Sequence, residues 1–248
     1  MKKLSVIIPS FMSKDLDLIA IKSFESFRPV DLEITYIIVE NTDVVSYKKD
    51  IMGSAKNIVW INNPTLAIGS EANAEAIEIG LKLVHTEWVF LCHCDVCVTS
   101  SSFFDELNKK VEEGYKLIGT VLDPARIKAI HISGYLTTKE LADSVSHYPI
   151  YVDGTQILDV GDRLTEYCRE HGIKSYCFKN TFNVPELASE INDAYREFQV
   201  DRCLDEKNEV MFMHLGRGIP KTQMTYSKTG KVDLKRWIEF CRNKVLND

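Results

Sequence analysis

Two residues that could bind a metal ion stand close together in the segment FLCHCDVCV. His93 and Asp95 follow an apolar run, and if that run is a strand that continues through them, both side chains point to the same side. An imidazole and a carboxylate are ligands of divalent cations, and the nitrogen favours manganese, iron or zinc over magnesium, which prefers oxygen. The segment therefore predicts half of a divalent metal site.

A third candidate ligand ends another apolar run, in EVMFMHLGRG. A lone histidine after an apolar run is more often a hydrogen-bonded core residue than a ligand, so coordination by His214 requires that the fold brings it to His93 and Asp95. Arg217 follows between two glycines, which would let its guanidinium reach a diphosphate; the alternative is a solvated turn.

Cysteines near His93 allow a different metal hypothesis, a structural zinc site. Cys94 and Cys97 have the spacing of half a zinc knuckle, but the sequence lacks a second pair of this kind. Seven cysteines, an odd and mostly scattered set, favour a reducing compartment over a disulfide framework. We therefore expect a cytoplasmic protein with free thiols.

Two carboxylates precede a predicted helix in ILDVGDRLTEYCREHG. A carboxylate at the start of a helix serves as a cap and is favoured by the helix dipole, which explains one of the two. Asp159 would be held by the rigid element before it and could remove a proton from an acceptor hydroxyl as a general base. Asp162 is the alternative base.

Strands and helices that alternate along the chain would position these residues. Apolar, β-branched runs predict buried strands at 4–8, 34–39, 58–61 and in EWVFLC, with amphipathic helices between them. This order indicates an α/β fold with a central, mostly parallel sheet flanked by helices. Ligands bind such sheets at the carboxyl ends of the strands.

The second half continues the pattern and is predicted to extend the same sheet. We predict one domain over residues 1–220, with a first half at 1–100 and a second half at 101–220. Residues 221–248 are predicted to form an amphipathic helical tail. Its apolar stripe either packs on the domain or contacts a membrane surface; the stripe comprises Leu234, Trp237, Ile238, Cys241 and Val245.

The composition is that of a globular protein with a sizeable core, with 45% hydrophobic residues in 248. The 30 basic and 36 acidic residues give a net charge of −6, which argues against a nucleic-acid partner. No apolar run approaches the roughly 20 residues that span a bilayer, and the apolar stretch at the start is too short for a secretory signal. We expect a soluble protein.

Taken in order, these segments resemble the motifs of family 2 glycosyltransferases with the GT-A fold. KLSVIIPSF resembles the first strand and nucleotide loop of the family, and YIIVENTD resembles the second strand, whose terminal acidic residue contacts the nucleoside. NNPTLAIGSEANAEAIEIG resembles the segment before the metal motif. The resemblance therefore implies a set of nucleotide-sugar contacts: Pro9, Ser10, Phe11, Glu40, Asn41, Asp43, Gly69, Asn73 and Arg217.

The later motifs agree with the same family. FLCHCDV stands where the family has its Asp-x-Asp motif, so that His93 replaces the first carboxylate and Asp95 retains the second. LDVGDRLTEYCREHGIKSYCF is similar to the stretch with the catalytic base, and FMHLGRG to the loop that can supply a metal-binding histidine. The resemblance covers residues 1–220 and implies a nucleotide-binding half at 1–100 and an acceptor-binding, catalytic half at 101–220. The tail after Pro220 matches no motif of the family.

The resemblance implies an inverting transferase that uses Mn²⁺, or Mg²⁺, and a UDP- or GDP-sugar donor. Its acceptor is a glycan, lipid or protein that the sequence does not identify. The altered metal motif supports one alternative, a non-catalytic nucleotide- or glycan-binding module with the same fold. An oxidoreductase is disfavoured because no G-x-G-x-x-G follows the first strand.

Overall fold

The computed structural model describes residues 1–124, 127–191, 200–216 and 234–246. The strands are β1 (Lys3–Ser10), β2 (Glu33–Glu40), β3 (Ile58–Asn62), β4 (Trp88–Cys92), β5 (Val96–Val98), β6 (Leu117–Gly119), β7 (Gly134–Thr138), β8 (Ile150–Val152), β9 (Thr155–Leu158), β10 (Ser175–Cys177), β11 (Asp201–Leu204) and β12 (Val210–His214). The α-helices are α1 (Lys14–Phe27), α2 (Lys48–Met52), α3 (Gly69–Leu81), α4 (Ser102–Glu112), α5 (Lys139–Asp143), α6 (Asp162–Glu170) and α7 (Leu234–Phe240). A 3₁₀ turn (Pro185–Ser189) precedes β11, and a π-helical turn (Cys241–Leu246) follows α7.

The central sheet has seven strands in the order β10–β6–β7–β4–β1–β2–β3. Strands β3, β2, β1 and β4 are parallel, as are β6 and β10, whereas β7 runs antiparallel to both of its neighbours. The predicted α/β class and mostly parallel sheet are therefore confirmed. The second half of the chain supplies β6, β7 and β10, so it extends the sheet of the first half.

Two apolar layers cover the faces of this sheet. Side chains alternate along a strand, so Val6 and Ile8 of β1 pack in one layer with Phe24 of α1, while Ile7 packs in the other with Ile77 of α3. Burial on both faces explains why the strands appear in the sequence as continuous apolar runs.

The 3.6-residue spacing of Ala72, Ala76, Ile79 and Leu83 predicts that these residues line one face of helix α3. Ala72 and Ala76 are buried as expected, but Ile79 is only partly buried and Leu83 lies beyond the end of the helix. At Gly80 the helix packs closely on β1, where a Cβ atom would lie 2.7 Å from Cγ2 of Ile7. The absence of a side chain at Gly80 therefore permits this close contact between α3 and β1.

A small antiparallel sheet, β11–β12–β5, lies beside the carboxyl end of β4. Strand β5 starts four residues after β4 ends, and its Val96 pairs with His214 of β12. His214 in turn pairs with Asp201 of β11. This pairing brings the end of the described β12 segment to the edge at which β4 ends.

The C-terminal segment packs on the rest of the molecule. Trp237 and Cys241 are fully buried in an apolar cluster that also contains Leu16 and Ile19 of α1. This confirms, for the described residues, the interpretation of the apolar stripe as a face packed on the domain. No helix among the described residues combines the length and apolar character needed to cross a bilayer. The predicted boundary at residue 220 stays a prediction.

Candidate metal and nucleotide site

The three predicted metal ligands lie together. His93 and Asp95 occupy the turn between β4 and β5, and β5 pairs with the end of β12, which carries His214. The Nε2 atom of His214 is 3.3 Å from Oδ1 of Asp95 and 3.3 Å from Nδ1 of His93. One potential ligand atom from each residue falls within 4.8 Å of the others. Two imidazoles and a carboxylate at this spacing fit a divalent transition-metal ion.

Asp201 orients His214. Its Oδ2 atom accepts a hydrogen bond from Nδ1 of His214 at 2.9 Å, which directs Nε2 towards Asp95. Burial opposes the charged imidazolium, but the carboxylates of Asp95 and Asp201 outweigh it and raise the pKa of His214 to about 9. A carboxylate that holds the far nitrogen of a metal-binding histidine is a recurrent arrangement. Sequence reasoning missed Asp201, because only the pairing of β11 with β12 brings it to His214.

His93 contacts Asn73 of α3. Burial and the nearby His214 lower the pKa of His93 to about 3, so its imidazole is neutral at pH 7. The Nε2 atom of His93 is 3.1 Å from Nδ2 of Asn73, and the buried Oδ1 of Asn73 has no hydrogen-bond partner among the described residues. A 180° rotation of the Asn73 side-chain amide would exchange the positions of Nδ2 and Oδ1, and Oδ1 would then accept a hydrogen bond from Nε2–H of His93. Nδ1 of His93 would then keep its lone pair for a cation.

His131 is a further histidine at the site, and sequence reasoning missed it. It lies three residues before the start of β7, and because β7 is antiparallel, the start of this strand lies at the edge where β1, β2 and β4 end. Its ring centroid is 5.6 Å from that of His93 and 6.1 Å from that of His214. Burial and the nearby His214 lower its pKa to about 4. The one available signal was a histidine beside a short apolar run, the same weak signal that marked His214.

A cavity of about 280 Å³ adjoins these histidines. Nine of the predicted site residues line this cavity: Pro9, Ser10, Phe11, Asn41, Gly69, Asn73, His93, Asp95 and Asp159. His131, Leu16 and Cys94 also line it. The ends of β1, β2 and β4 and the start of α3 thus surround one space, as expected for a parallel sheet.

Glu40 and Asp43 do not line the cavity. Glu40 is fully buried, and its carboxylate accepts hydrogen bonds from Oγ of Ser10 (2.9 Å), the backbone N–H of Met12 (3.1 Å) and the hydroxyl of Tyr47. It therefore holds the loop after β1, whereas a direct contact with the nucleoside stays a prediction without support from the geometry. Asp43 is exposed. Arg217 lies outside the described residues.

Asn41 connects β2 with α3 at the cavity wall. Its Nδ2 atom donates to the carbonyl of Ala72 at 2.8 Å, and its Oδ1 atom accepts from Nδ2 of Asn63 at 2.9 Å. Gly69 begins α3 with a φ of +57°, in the left-handed region that favours glycine. Both residues shape the wall through the backbone of α3.

The two predicted catalytic carboxylates have different surroundings. Asp159 lines the cavity, and its Oδ1 atom accepts hydrogen bonds from Nε2 of Gln156 and the backbone N–H of Val160, both at 2.8 Å. Asp162 is 1% exposed, and its Oδ2 atom accepts from the backbone N–H of Asp159 at 2.8 Å. Asp162 therefore stabilises the turn that presents Asp159.

The cysteines do not form a second metal centre. All seven are free, and the one group of three or more potential ligands within the described residues is His93, Asp95 and His214. Cys97 is fully buried in an apolar cluster. The half zinc knuckle in the sequence is thus a pair of thiols whose neighbours do not complete a site.

Comparison with known proteins identifies the fold. No protein-family model and no curated protein matches the sequence. Among solved structures, mannosyltransferase PcManGT from Pyrobaculum calidifontis, in complex with GDP-Man and Mn²⁺, is similar with a TM-score of 0.53 and 10% identity over 70% of this chain and 54% of that chain. Glucosyl-3-phosphoglycerate synthase from Mycobacterium tuberculosis, in complex with Mn²⁺, UDP and glucosyl-3-phosphoglycerate, is similar with a TM-score of 0.51 and 14% identity over 71% of this chain and 70% of that chain.

The chain has the GT-A fold. It spans about half the length of the mannosyltransferase. Within this GT-A fold, the cavity and the group of His93, Asp95 and His214 share the edge where the parallel strands end.

Proposed function

We propose that this protein is a glycosyltransferase that moves a sugar from a nucleotide-diphosphate sugar to an acceptor hydroxyl. The observation that carries the proposal is that His93, Asp95 and His214 lie together, although His93 and His214 are 121 residues apart in the chain. They lie beside a cavity that Asp159 also lines. Both similar GT-A structures contain a nucleotide and Mn²⁺, which supports the same ligand class here.

His93, Asp95 and His214 would hold the divalent cation. Two nitrogen ligands favour Mn²⁺ over Mg²⁺. When bound, the cation would neutralise the negative charge that develops on the departing diphosphate. Asn73 and Asp201 would orient the two imidazoles through their hydrogen bonds.

The donor would occupy the cavity between the ends of β1 and β2 and the start of α3. Pro9, Ser10 and Phe11 would contact the nucleotide from one side, and Asn41 and Gly69 from the other. The proposal includes both UDP- and GDP-sugars, because the lining contains no feature that separates the two bases.

Asp159 would act as the general base. The acceptor oxygen bonds to the anomeric carbon, the bond from that carbon to the diphosphate oxygen breaks, and the hydroxyl proton passes to Asp159. Attack from the face opposite the leaving diphosphate inverts the anomeric configuration. The anomeric coupling constant of the product, measured by NMR, tests inversion; retention of configuration would contradict it.

A thermal-shift screen of nucleotide-sugars with Mn²⁺ tests the donor. A ligand at a hundredfold its Kd stabilises the folded protein by about 2.7 kcal/mol. His214→Ala should abolish the Mn²⁺-dependent part of the shift, whereas the exposed His85→Ala should retain it. Release of nucleoside diphosphate then measures turnover. No shift with any UDP- or GDP-sugar, and no turnover, would refute the proposal.

His93 stands where the family that the sequence resembles has a carboxylate. This supports a second candidate function, a non-catalytic nucleotide- or glycan-binding module. Calorimetry distinguishes the two functions. Nucleoside-diphosphate binding that is independent of divalent cations, together with absent donor turnover, would identify the module. Binding that strengthens with Mn²⁺ and is accompanied by turnover supports the transferase.

We also propose a cytoplasmic location, supported by the seven free thiols. Fractionation of cells that express the tagged chain tests it, and recovery from an oxidising compartment would contradict it. Peripheral membrane contact through residues 221–248 stays a prediction, although Trp237 and Cys241 of the stripe face the protein interior. Flotation of the full chain with liposomes is the appropriate measurement, and no flotation would remove that contact.

A further inference from the structure

An exposed apolar hairpin borders the candidate site. Strands β8 and β9 form a two-stranded antiparallel ribbon. Ile150, Tyr151 and Val152 of β8 are 41, 48 and 54% exposed, and Ile157 of β9 is 42% exposed. Because all three consecutive residues of β8 are exposed, apolar side chains extend from both faces of the ribbon. Single exposed apolar residues are ordinary, but a contiguous group indicates an interaction surface.

The hairpin leads directly into the cavity. Leu158 ends β9 and is buried, and the next residue, Asp159, lines the cavity. Gln156 of β9 donates the hydrogen bond that holds the carboxylate of Asp159. An acceptor with its hydroxyl at Asp159 would therefore have the rest of its body beside the hairpin.

Exposed apolar residues also stand before α3. Leu66 and Ile68 are 101 and 82% exposed, and Gly69, which follows them, lines the cavity. Apolar side chains thus adjoin two separate parts of the cavity wall.

The charges near the hairpin disfavour an anionic partner. Between residues 148 and 158 the one charged side chain is that of Asp153. The Oε1 atom of Glu78 in α3 accepts a hydrogen bond at 2.8 Å from the backbone N–H of His147, three residues before β8, which places an acidic side chain of α3 beside the start of the hairpin. Negative charges repel phosphate and carboxylate groups, whereas apolar side chains gain free energy when they cover hydrocarbon.

From these observations we infer that the β8–β9 hairpin, with Leu66 and Ile68, binds an uncharged apolar group of the acceptor while the acceptor hydroxyl lies at Asp159. The acceptor is thus a hydroxyl compound with a hydrocarbon or aromatic body. This inference rests on the proposed sugar transfer and adds the chemical class of its acceptor.

Binding of n-alkyl β-D-glucosides, from methyl to octyl and below their micelle concentrations, tests the inference by calorimetry with Mn²⁺ and a nucleoside diphosphate present. We expect the Kd to fall with each methylene, by up to about fourfold. The double variant V152T/I157T keeps β-branching at both positions, replaces one apolar branch by a hydroxyl at each, and should weaken octyl glucoside binding about tenfold or more. V30T is the matched control, because Val30 is 98% exposed and lies before β2, at the opposite end of the sheet. It should bind like the wild type.

Donor binding by thermal shift on the same proteins separates the two proposals. If nucleotide-sugar binding is intact but affinity is independent of chain length, or V30T weakens binding as much as the double variant, the acceptor inference is overturned and sugar transfer is not. If no nucleotide-sugar binds, both fail. A wild-type dimer that the double variant dissociates would assign the hairpin to a second copy and overturn the inference. Circular dichroism checks that each variant is folded. If the double variant is misfolded, the single variant V152T is measured in its place.

Discussion

Asp159 and Asp162 have the same side chain but different roles, because their local hydrogen bonds differ. Both stand at the start of α6, but Asp159 lines the cavity and Asp162 accepts the backbone N–H of Asp159. The same principle applies to Glu40, whose carboxylate is used within the β1 loop. At this scale a residue's function depends on which donors reach its oxygens.

Substitution of Asp159 by asparagine tests the general base. The amide keeps the side-chain shape but cannot take the proton, so we expect kcat to fall about 10²- to 10⁴-fold. The Mn²⁺-dependent thermal shift with donor should be retained. The exposed Asp31→Asn is the control and should leave kcat unchanged. Unchanged turnover in D159N would remove Asp159 from the base role.

Substitution of Asp201 by asparagine tests the orientation of His214. Loss of the carboxylate removes the charged partner at Nδ1, and such losses typically weaken metal binding about 10- to 100-fold. Titration of Mn²⁺ followed by its electron paramagnetic resonance signal measures the Kd. Asp105→Asn, exposed on α4 and outside the cavity lining, should keep the wild-type Kd. Equal affinities for both variants would contradict the role of Asp201.

At the scale of elements, the distance between α3 and β1 depends on Gly80. A Cβ atom in Gly80→Ala would meet the branched Cγ2 of Ile7 at 2.7 Å, so overpacking of about 1–3 kcal/mol should exceed the helix-propensity gain of up to about 1 kcal/mol. Gly53→Ala is the matched control, since its nearest atoms lie at 3.5 Å and its φ is −86°. Urea unfolding measures the free energy of unfolding of both variants. A G80A protein as stable as the wild type would show that α3 and β1 can move apart with little loss of stability.

Glu78 connects α3 with the segment before β8. Its Oε1 atom accepts from the backbone N–H of His147 at 2.8 Å and lies 3.2 Å from Nδ1 of that residue. The side-chain hydrogen bond to His147 lowers the pKa of Glu78. A lowered folded-state pKa means that the stabilisation is present above the unfolded value of about 4.3 and is lost as the pH falls through the folded value.

Glu78→Gln should therefore reduce the free energy of unfolding by about 1 kcal/mol at pH 7, because the carboxylate is partly exposed and the hydrogen bonds are only partly retained. The deficit relative to wild type should shrink below about pH 4. Urea unfolding at pH 7 and pH 3 measures it, with the exposed Glu71→Gln of the same helix as the control. A deficit that is constant with pH would rule out the charge as its cause.

At the scale of the whole molecule, α7 connects the C-terminal segment to the site through α1. Trp237 is fully buried in the cluster that contains Leu16, and Leu16 also lines the cavity. Trp237→Ala should cost about 3–5 kcal/mol of stability and weaken donor binding. Lys235→Ala, whose side chain is 83% exposed, should change stability by less than about 0.5 kcal/mol. Urea midpoints and donor thermal shifts measure both effects; a W237A protein with wild-type stability would contradict this coupling.

Sequence patterns alone predict the α/β class and the main strands and helices, and they single out His93, Asp95 and Asp159 as candidate site residues. These features depend on local patterns: an apolar run long enough for a strand, a 3.6-residue period, or two ligands on one side of a short segment. Such patterns report what a segment can bury and which groups follow it.

Which distant residues meet depends on the three-dimensional fold. The pairing of β5 with β12 and β11 brings His214 and Asp201 to Asp95, and the antiparallel β7 adds His131. Close packing at Gly80 holds α3 against β1, and the carboxylate of Glu40 accepts hydrogen bonds within the loop after β1 and does not line the cavity. Each outcome depends on contacts between segments far apart in the chain, and strand register and packing distance leave no periodic signal in a single segment.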